Sequence, residues 1–511
     1  MNLLENPWIP VRANDGTGSF QLLTYRDLLC EPGQRWQISL PRDDLEQACL
    51  QLLICMTQVM FLPDDDADLR RRLAEPLTQA EFDSGIAPFL DWFDLDHPTQ
   101  PFMQTRGVKA TEPTPIQKLL IGLPEGNNHA FFNEAGEVGQ VSGPVAAIAL
   151  FNQASNCPSF GGGFKGSLRG GAPITTLVFD RNLRRMVWRN VLTRPRVEER
   201  QITAPGPAQD QPTWVSPIAE KSTIPIQWNQ IGLMRGLFWQ PAHIELVKAC
   251  EARACGVLGG DATAGYSEFL KEKFNFTVEG VWPHPHGAMN WSEKKDVREQ
   301  RFASFTTTAP AWTQLSEFVI PRGVNDNDAK EGSSPAGPIS QFAAMPDGSK
   351  LSILIGGYQT KQASVLERRH EFVGIASGWQ DDKSRLPALV NLGQEAKKAL
   401  FGKLMVASGG YVNKKHKTKL KGLGVNLQKT AEKLFYARTE DLIHQAFSNE
   451  LTWKEWPVAR ANFIEQILRH GRAIFSELTD PYMAKPDLIP IIAWAERGLN
   501  IEFKKLKEEN Q

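Results

Sequence analysis

The sequence predicts an α+β protein: a large mixed α/β amino-terminal domain with long loops (residues 1–370), then a carboxy-terminal four-helix bundle (residues 380–511). Three observations carry this. Up to about residue 370, short β-like runs such as "ITTLVF" and "FNFTVEGVW" are broken by Pro/Gly punctuation, without the regular strand–helix alternation of a doubly wound sheet. Long connections such as "ERQITAPGPAQDQPTW" have the composition of surface loops. After Gln380 the texture changes to four amphipathic segments at helical spacing.

From the amino terminus, "MNLLENPWIPV" places Glu5 early and has no basic stretch before an apolar run, so no signal peptide is expected there. Asp43 or Asp44 is placed to cap a helix with apolar Leu45, Cys49, Leu52, Met56 and Met60 on one face. The run "LLICMTQVMFL" within it is interrupted by Thr57 and Gln58 and is too short for a bilayer, so no membrane association is expected. Asp64, Asp66, Asp68 and Glu75 stand at calcium-loop offsets, but Leu69 occupies the glycine position; an acidic helix start fits better.

The four late segments run over about 387–407, 425–448, 455–478 and 487–508. The third shows Phe463, Ile467, Gly471, Ile474 and Leu478; the fourth shows Leu488, Ile492, Ala495, Leu499, Phe503 and Leu506. Short Gly- or Pro-containing connections make antiparallel neighbours of them. The basic run "KKHKTKLK", Lys414 to Lys421, falls in the first connection and would be exposed. It offsets an acid-rich first hundred residues, so a net charge of -1 says nothing against nucleic acid. Six scattered cysteines without a secretion signal read as reduced thiols, and the expected location is cytoplasmic.

The chemistry is hardest to place in "FGGGFKGSLRGG", Phe160 to Gly171. Gly161, Gly163 and Gly166 satisfy G-x-G-x-x-G, yet "SLRGGAP" cannot begin the helix a dinucleotide fold needs. The P-loop reading fails too, since Lys165 precedes the second glycine and Ser167 takes the lysine position. Two readings stay open: a turn needing positive φ, or close approach of bare backbone to a large ligand. Elsewhere, His284 and His286 in "WPHPH" read as structural, Cys250 and Cys255 lack a second metal-binding pair, and Cys157 has no visible base. On a helix, Glu367 and His370 of "LERRH" would be i, i+3 neighbours, pairing with each other or with Arg368 and Arg369. No catalytic residue, metal or cofactor is assigned.

Several ordered blocks together resemble one family. "NPWIPVR", "SLPRDD", "PFMQTRGVKA", "IALFNQA" with "FGGGFKGSLRGG", "GLFWQPAHIEL", "FLKEKFNFTV" with "WPHPH", and "QASVLERRH" are similar to the CasA family, the large subunits of the type I-E CRISPR surveillance complex called Cascade. The blocks span residues 1 to about 370, and the carboxy-terminal resemblance is in helical pattern rather than in letters. The resemblance implies a non-enzymatic subunit that reads the protospacer-adjacent motif of double-stranded DNA through the minor groove. It implies help in opening the duplex for the guide CRISPR RNA, other Cascade subunits as partners, and later recruitment of a separate helicase–nuclease.

It also implies sites. The family's glycine loop corresponds to Ser159 through Gly163, with Gly161 and Gly162 closest to the groove; Ser159 stands where a glycine is usual. The lysine finger matches Lys273, with Lys271 as the neighbouring alternative. The glutamine wedge matches Gln362, and Lys361 beside it replaces a polar amide, which should steepen the salt dependence. "NNHAFFNEAG" resembles the segment that anchors guide RNA, with Phe131 for stacking and Asn133 for a base edge. Ser142 and Val145 stand where some relatives carry cysteines, so no zinc is carried over. The alternative is a nucleotide-binding enzyme using the glycine-rich loop; a general nucleic-acid scaffold acting through the lysine run is a third.

Overall fold

A helix without a polar face has to be enclosed. Two of these, Asp43–Met60 and Gly143–Ser155, pack on each other near the middle of the first of two compact units. The computed structural model describes residues 1–33, 35–123, 137–203, 206, 210–219, 224–294, 297–323, 329–345, 350–361, 364–413 and 418–510. The first unit comprises Met1–Thr308, Pro321–Ala344 and Ile353–Phe372; the second comprises Ala309–Ile320, Met345–Ser352 and Val373–Gln511.

The predicted face Leu45, Cys49, Leu52, Met56 and Met60 is buried, and so is most of the rest of the helix. Its polar side chains are paired inside the core. Gln58 donates to Leu192 O at 3.0 Å and accepts from Leu192 N at 2.6 Å, while Thr57 meets Tyr25 OH at 2.8 Å. The expected aspartate cap is corrected: Arg42 is the cap residue, and Asp43 and Asp44 stand in the first turn. Arg42 grips the Asp44 carboxylate, whose Oδ1 also accepts from Leu45 N at 3.1 Å. In the acidic run, Asp65 does cap the Asp66–Ala74 helix, accepting from Ala67 N and Asp68 N at 2.8 Å.

The described strands form small sheets of two or three strands. "ITTLVF" supplies Thr175–Val178, antiparallel to Ile353–Gly356 of the Leu351–Lys361 strand. "FNFTVEGVW" supplies only the strand Val278–Glu279; its aromatics pack inward, with Phe274 stacked on His243 at 4.2 Å and 5.1 Å from Phe276, and Trp282 Nε1 donating to Ile231 O. "LERRH" lies in the strand Ser364–Ile375, not on a helix. Period-two geometry therefore sets Arg369 beside Glu371 at 2.8 Å and Glu367 at 3.9 Å, and turns Arg368 toward Asp44 at 3.2 Å.

In the second unit, Arg385–Gly409 packs on each of Gln428–Ser448, Trp456–Thr479 and Ile489–Glu509, and Trp456–Thr479 also packs on the other two. Phe463, Ile467, Gly471 and Ile474 are buried, as are Ile492, Ala495, Leu499 and Phe503. Gly471 permits the close approach: a Cβ there would sit 2.7 Å from the Phe503 ring. Trp312, from Ala309–Ile320, fits against Gly393 in the same way. Of the lysine run, Thr418–Leu420 pairs with Tyr411–Asn413, Lys421 meets Asp487 at 2.8 Å, and residues 414–417 lie outside the described residues. Among the described residues no helix is long and apolar enough to cross a membrane.

Candidate nucleic-acid interface

The Gly143–Ser155 helix delivers the chain to the glycine-rich loop, and the Thr175–Val178 strand receives it. Within the loop Gly161, Gly162 and Gly163 have φ of +78°, +56° and +89°. Phe164 N donates to Gly161 O at 3.0 Å, closing a turn, and Gly161 N donates to Ser159 Oγ at 3.4 Å. A Cβ on Gly162 would meet nothing within 4 Å, so conformation rather than space requires glycine there. Gly162 and Gly163 are exposed. The two sequence readings are therefore compatible: the turn needs positive φ, and its bare edge faces outward.

The loop's base is held from inside. Phe160 packs edge-on to Phe164 at 5.5 Å and against Phe269 at 5.9 Å. Arg169, only 4% exposed, donates to Ser155 O and Thr175 Oγ1, both at 3.0 Å, and to Asn156 Oδ1. It thus clasps the end of the incoming helix to the start of the outgoing strand. Burial pushes its pKa down to about 9, so it still carries its charge at neutral pH. Sequence reasoning missed this residue; the available signal was a lone arginine among glycines between a helix and a strand.

Of the two candidate lysines, Lys273 is the one at the loop's edge. It follows the Tyr266–Glu272 strand, is exposed, and donates from Nζ to Gly162 O at 3.1 Å. Lys271 is drawn under the loop, donating to Thr114 Oγ1 at 2.7 Å with its ammonium 5.5 Å from the Phe160 ring and 5.6 Å from Phe269. Lys165 is exposed on the loop itself. Ser159 is half-buried; its oxygen accepts from Gly161 N, which leaves its proton to donate. Lys361 is the last residue of the Leu351–Lys361 strand. Gln362, Phe131 and Asn133 lie outside the described residues.

A nucleotide cradle needs a helix N-terminus after its glycines. Here the chain turns at Ser167–Gly170, with Gly170 N donating to Ser167 O at 3.0 Å, and enters a strand. Cys157 is 1% exposed, and burial raises its thiol pKa. His284 and His286 are enclosed in the core: His286 N donates to His284 Nδ1 at 3.0 Å, and Gln51 Nε2 lies 3.3 Å from His286 Nδ1. Burial holds both imidazoles neutral, with the His286 pKa down to about 3.

Comparison with known proteins adds family and fold. The family model for CRISPR-associated protein Cse1 matches residues 2–463. A crystal structure of Thermobifida fusca Cse1 superposes with a TM-score of 0.74 at 17% identity, covering 100% of this chain and 99% of that one. A chain from a structure described as a CRISPR RNA-guided surveillance complex superposes with a TM-score of 0.65 at 14% identity, covering 98% of this chain and 99% of that one. The CRISPR-associated protein CasA/Cse1 of Thermus thermophilus is 30% identical over 141 residues, a stretch spanning 27% of either chain. At these identities the solved structures speak to fold.

Proposed function

The chain belongs to the CRISPR-associated Cse1 family, and from that membership we propose that it is the large subunit of an RNA-guided surveillance complex, reading a short motif in double-stranded DNA through the minor groove. The observation that carries the motif-reading role is the ridge of three left-handed glycines, exposed at Gly162 and Gly163, with the Lys273 ammonium on the Gly162 carbonyl. The minor groove is about 6 Å wide and presents few distinguishing groups, which favours entry by bare backbone over a side chain. An ammonium has three donors. One is used on Gly162 O, leaving two for acceptors on the groove floor.

In this reading Gln362 acts as a wedge beside the motif, and partial unstacking there lets the guide begin to pair. Unstacking costs on the order of a few kcal/mol, offset by backbone and groove contacts. The longer sequence is read by RNA pairing rather than by the protein. Phe131 and Asn133 hold guide RNA, Lys361 adds phosphate attraction, and the helical second unit faces the other subunits. The subunit itself does no chemistry; a separate helicase–nuclease, recruited after target binding, cuts.

The test is the affinity of the assembled, guide-loaded complex for a matched duplex, with and without candidate motifs, at one fixed salt concentration. Strong motif dependence that vanishes when this chain is omitted supports the reading. Equal affinity for all flanking sequences, or no change on omission, sinks it.

A further inference from the structure

Asp44, 9% exposed, collects hydrogen bonds from chain segments far apart in sequence. Arg42 donates to it from Nε at 3.0 Å and Nη2 at 2.7 Å, and the same Nη2 donates to Ile121 O at 2.6 Å, just ahead of residues 124–136. Tyr358 OH donates to Asp44 Oδ2 at 3.0 Å and accepts from Asn152 Nδ2 at 2.8 Å. Arg368 Nη1 reaches Oδ1 at 3.2 Å. Tyr358 also belongs to a buried cluster with Ile121, Cys157 and Ala172. Cys157 and Ala172 lie on either side of the glycine turn, while Tyr358 and Arg368 lie on the two strands flanking residues 362–363.

The space enclosed beside this junction is about 10 Å³, room for one water at most, so it is not a ligand pocket. Burial raises the pKa of both the Tyr358 phenol and the Cys157 thiol, keeping each neutral. A buried carboxylate shared between two arginines and a phenol has little freedom to rearrange, because releasing one partner strands a charge.

We infer that Asp44 and Tyr358 are positioning residues that fix, in one arrangement, the stems leading into residues 124–136, the glycine turn and residues 362–363, so that guide-RNA anchoring and motif reading are set together. The inference rests on the function proposed for those segments. It gives the chain a direct internal link between its RNA-facing and DNA-facing parts.

The experiment uses the full chain with Tyr358→Phe, which keeps the ring and removes the hydroxyl, and with Asp44→Asn. Amide hydrogen exchange is followed at 119–123, 157–166 and 358–361. For Tyr358→Phe all three stems should exchange about fivefold faster together, the scale of one lost buried hydrogen bond, while the helices of the second unit are unchanged. A rise in one stem alone, or in none, overturns the inference even where Asp44→Asn is too unstable to use. In the guide-loaded complex, Tyr358→Phe should also lower the ratio of motif-bearing to motif-free affinity, with Gly162→Val measured alongside. A ratio reduced by Gly162→Val and untouched by Tyr358→Phe overturns the inference and leaves the motif-reading role standing. Joint loosening of the stems with no effect of Gly162→Val keeps the internal link and removes the motif-reading role.

Discussion

Replacing Gly162 by valine adds a side chain where the backbone has φ +56° and where a Cβ meets nothing within 4 Å. The penalty is therefore conformational. An L-residue in this region costs about 1–2 kcal/mol, and a β-branched one stands at the upper end. The free loop is exposed and can relax, so folding stability should hardly change; the penalty falls on the state that needs the left-handed ridge. At about 1.4 kcal/mol per factor of ten, motif-bearing duplex should bind about tenfold more weakly. Motif-free duplex should bind as before. The assay is paired affinity measurement on guide-loaded complexes, with a thermal melt of the isolated chain. Equal loss on both duplexes, or a fall in the melting midpoint without loss of motif preference, would refute the reasoning. Lys273→Met supplies a cross-check: because its ammonium holds Gly162 O at 3.1 Å, the two substitutions should combine less than additively.

Gln362→Ala is expected to leave initial motif binding near normal and to slow strand opening, followed by the fluorescence of a base analogue beside the motif; unchanged opening removes Gln362 from the site. His284 and His286 make the first unit acid-sensitive. Their folded pKa values lie below the unfolded value of 6.5, His286 at about 3, so the unfolded chain binds protons that the folded chain refuses and stability falls as pH drops from about 6.5 toward 3. His286 should remove about 2 kcal/mol by pH 5, and His284 acts in the same direction; a melting midpoint constant from about pH 7 to 5, or a His286→Gln chain with an unaltered slope, would contradict this. Gly471→Ala drives a methyl to 2.7 Å from the Phe503 ring and should destabilise the second unit by about 1–3 kcal/mol in denaturant unfolding. No loss would mean that the helix pair separates freely.

The four late helices were legible because a three-and-four spacing over some twenty residues has one physical solution, and the structure places them within a few residues of the expected bounds. "LERRH" was misread because five residues rich in charge carry no periodicity; only its partner strand, from elsewhere in the chain, decides its conformation. Asp44 was misassigned for a related reason. A cap is a local event visible in sequence, whereas a carboxylate gripped by Arg42, Arg368 and Tyr358 is made by residues up to 324 positions away. In the candidate site the glycines announced a backbone requirement, and their positive φ values follow it. The clasp by Arg169 was missed because its setting, a lone arginine among glycines, hints at a role without showing that the side chain is buried or what it holds.

Three successive left-handed residues also limit how this surface can be altered, by evolution or by an engineer. The genetic code offers few substitutes for glycine in that conformation, with asparagine and aspartate the least unfavourable. Variation along the ridge is thus nearly closed, whatever ligand it meets. Diversity has to enter through the positions around it: the half-buried hydroxyl of Ser159, the exposed ammonium of Lys165 and the side chain at 273. A library aimed at new sequence preferences would do best to hold 161–163 constant and randomise those three.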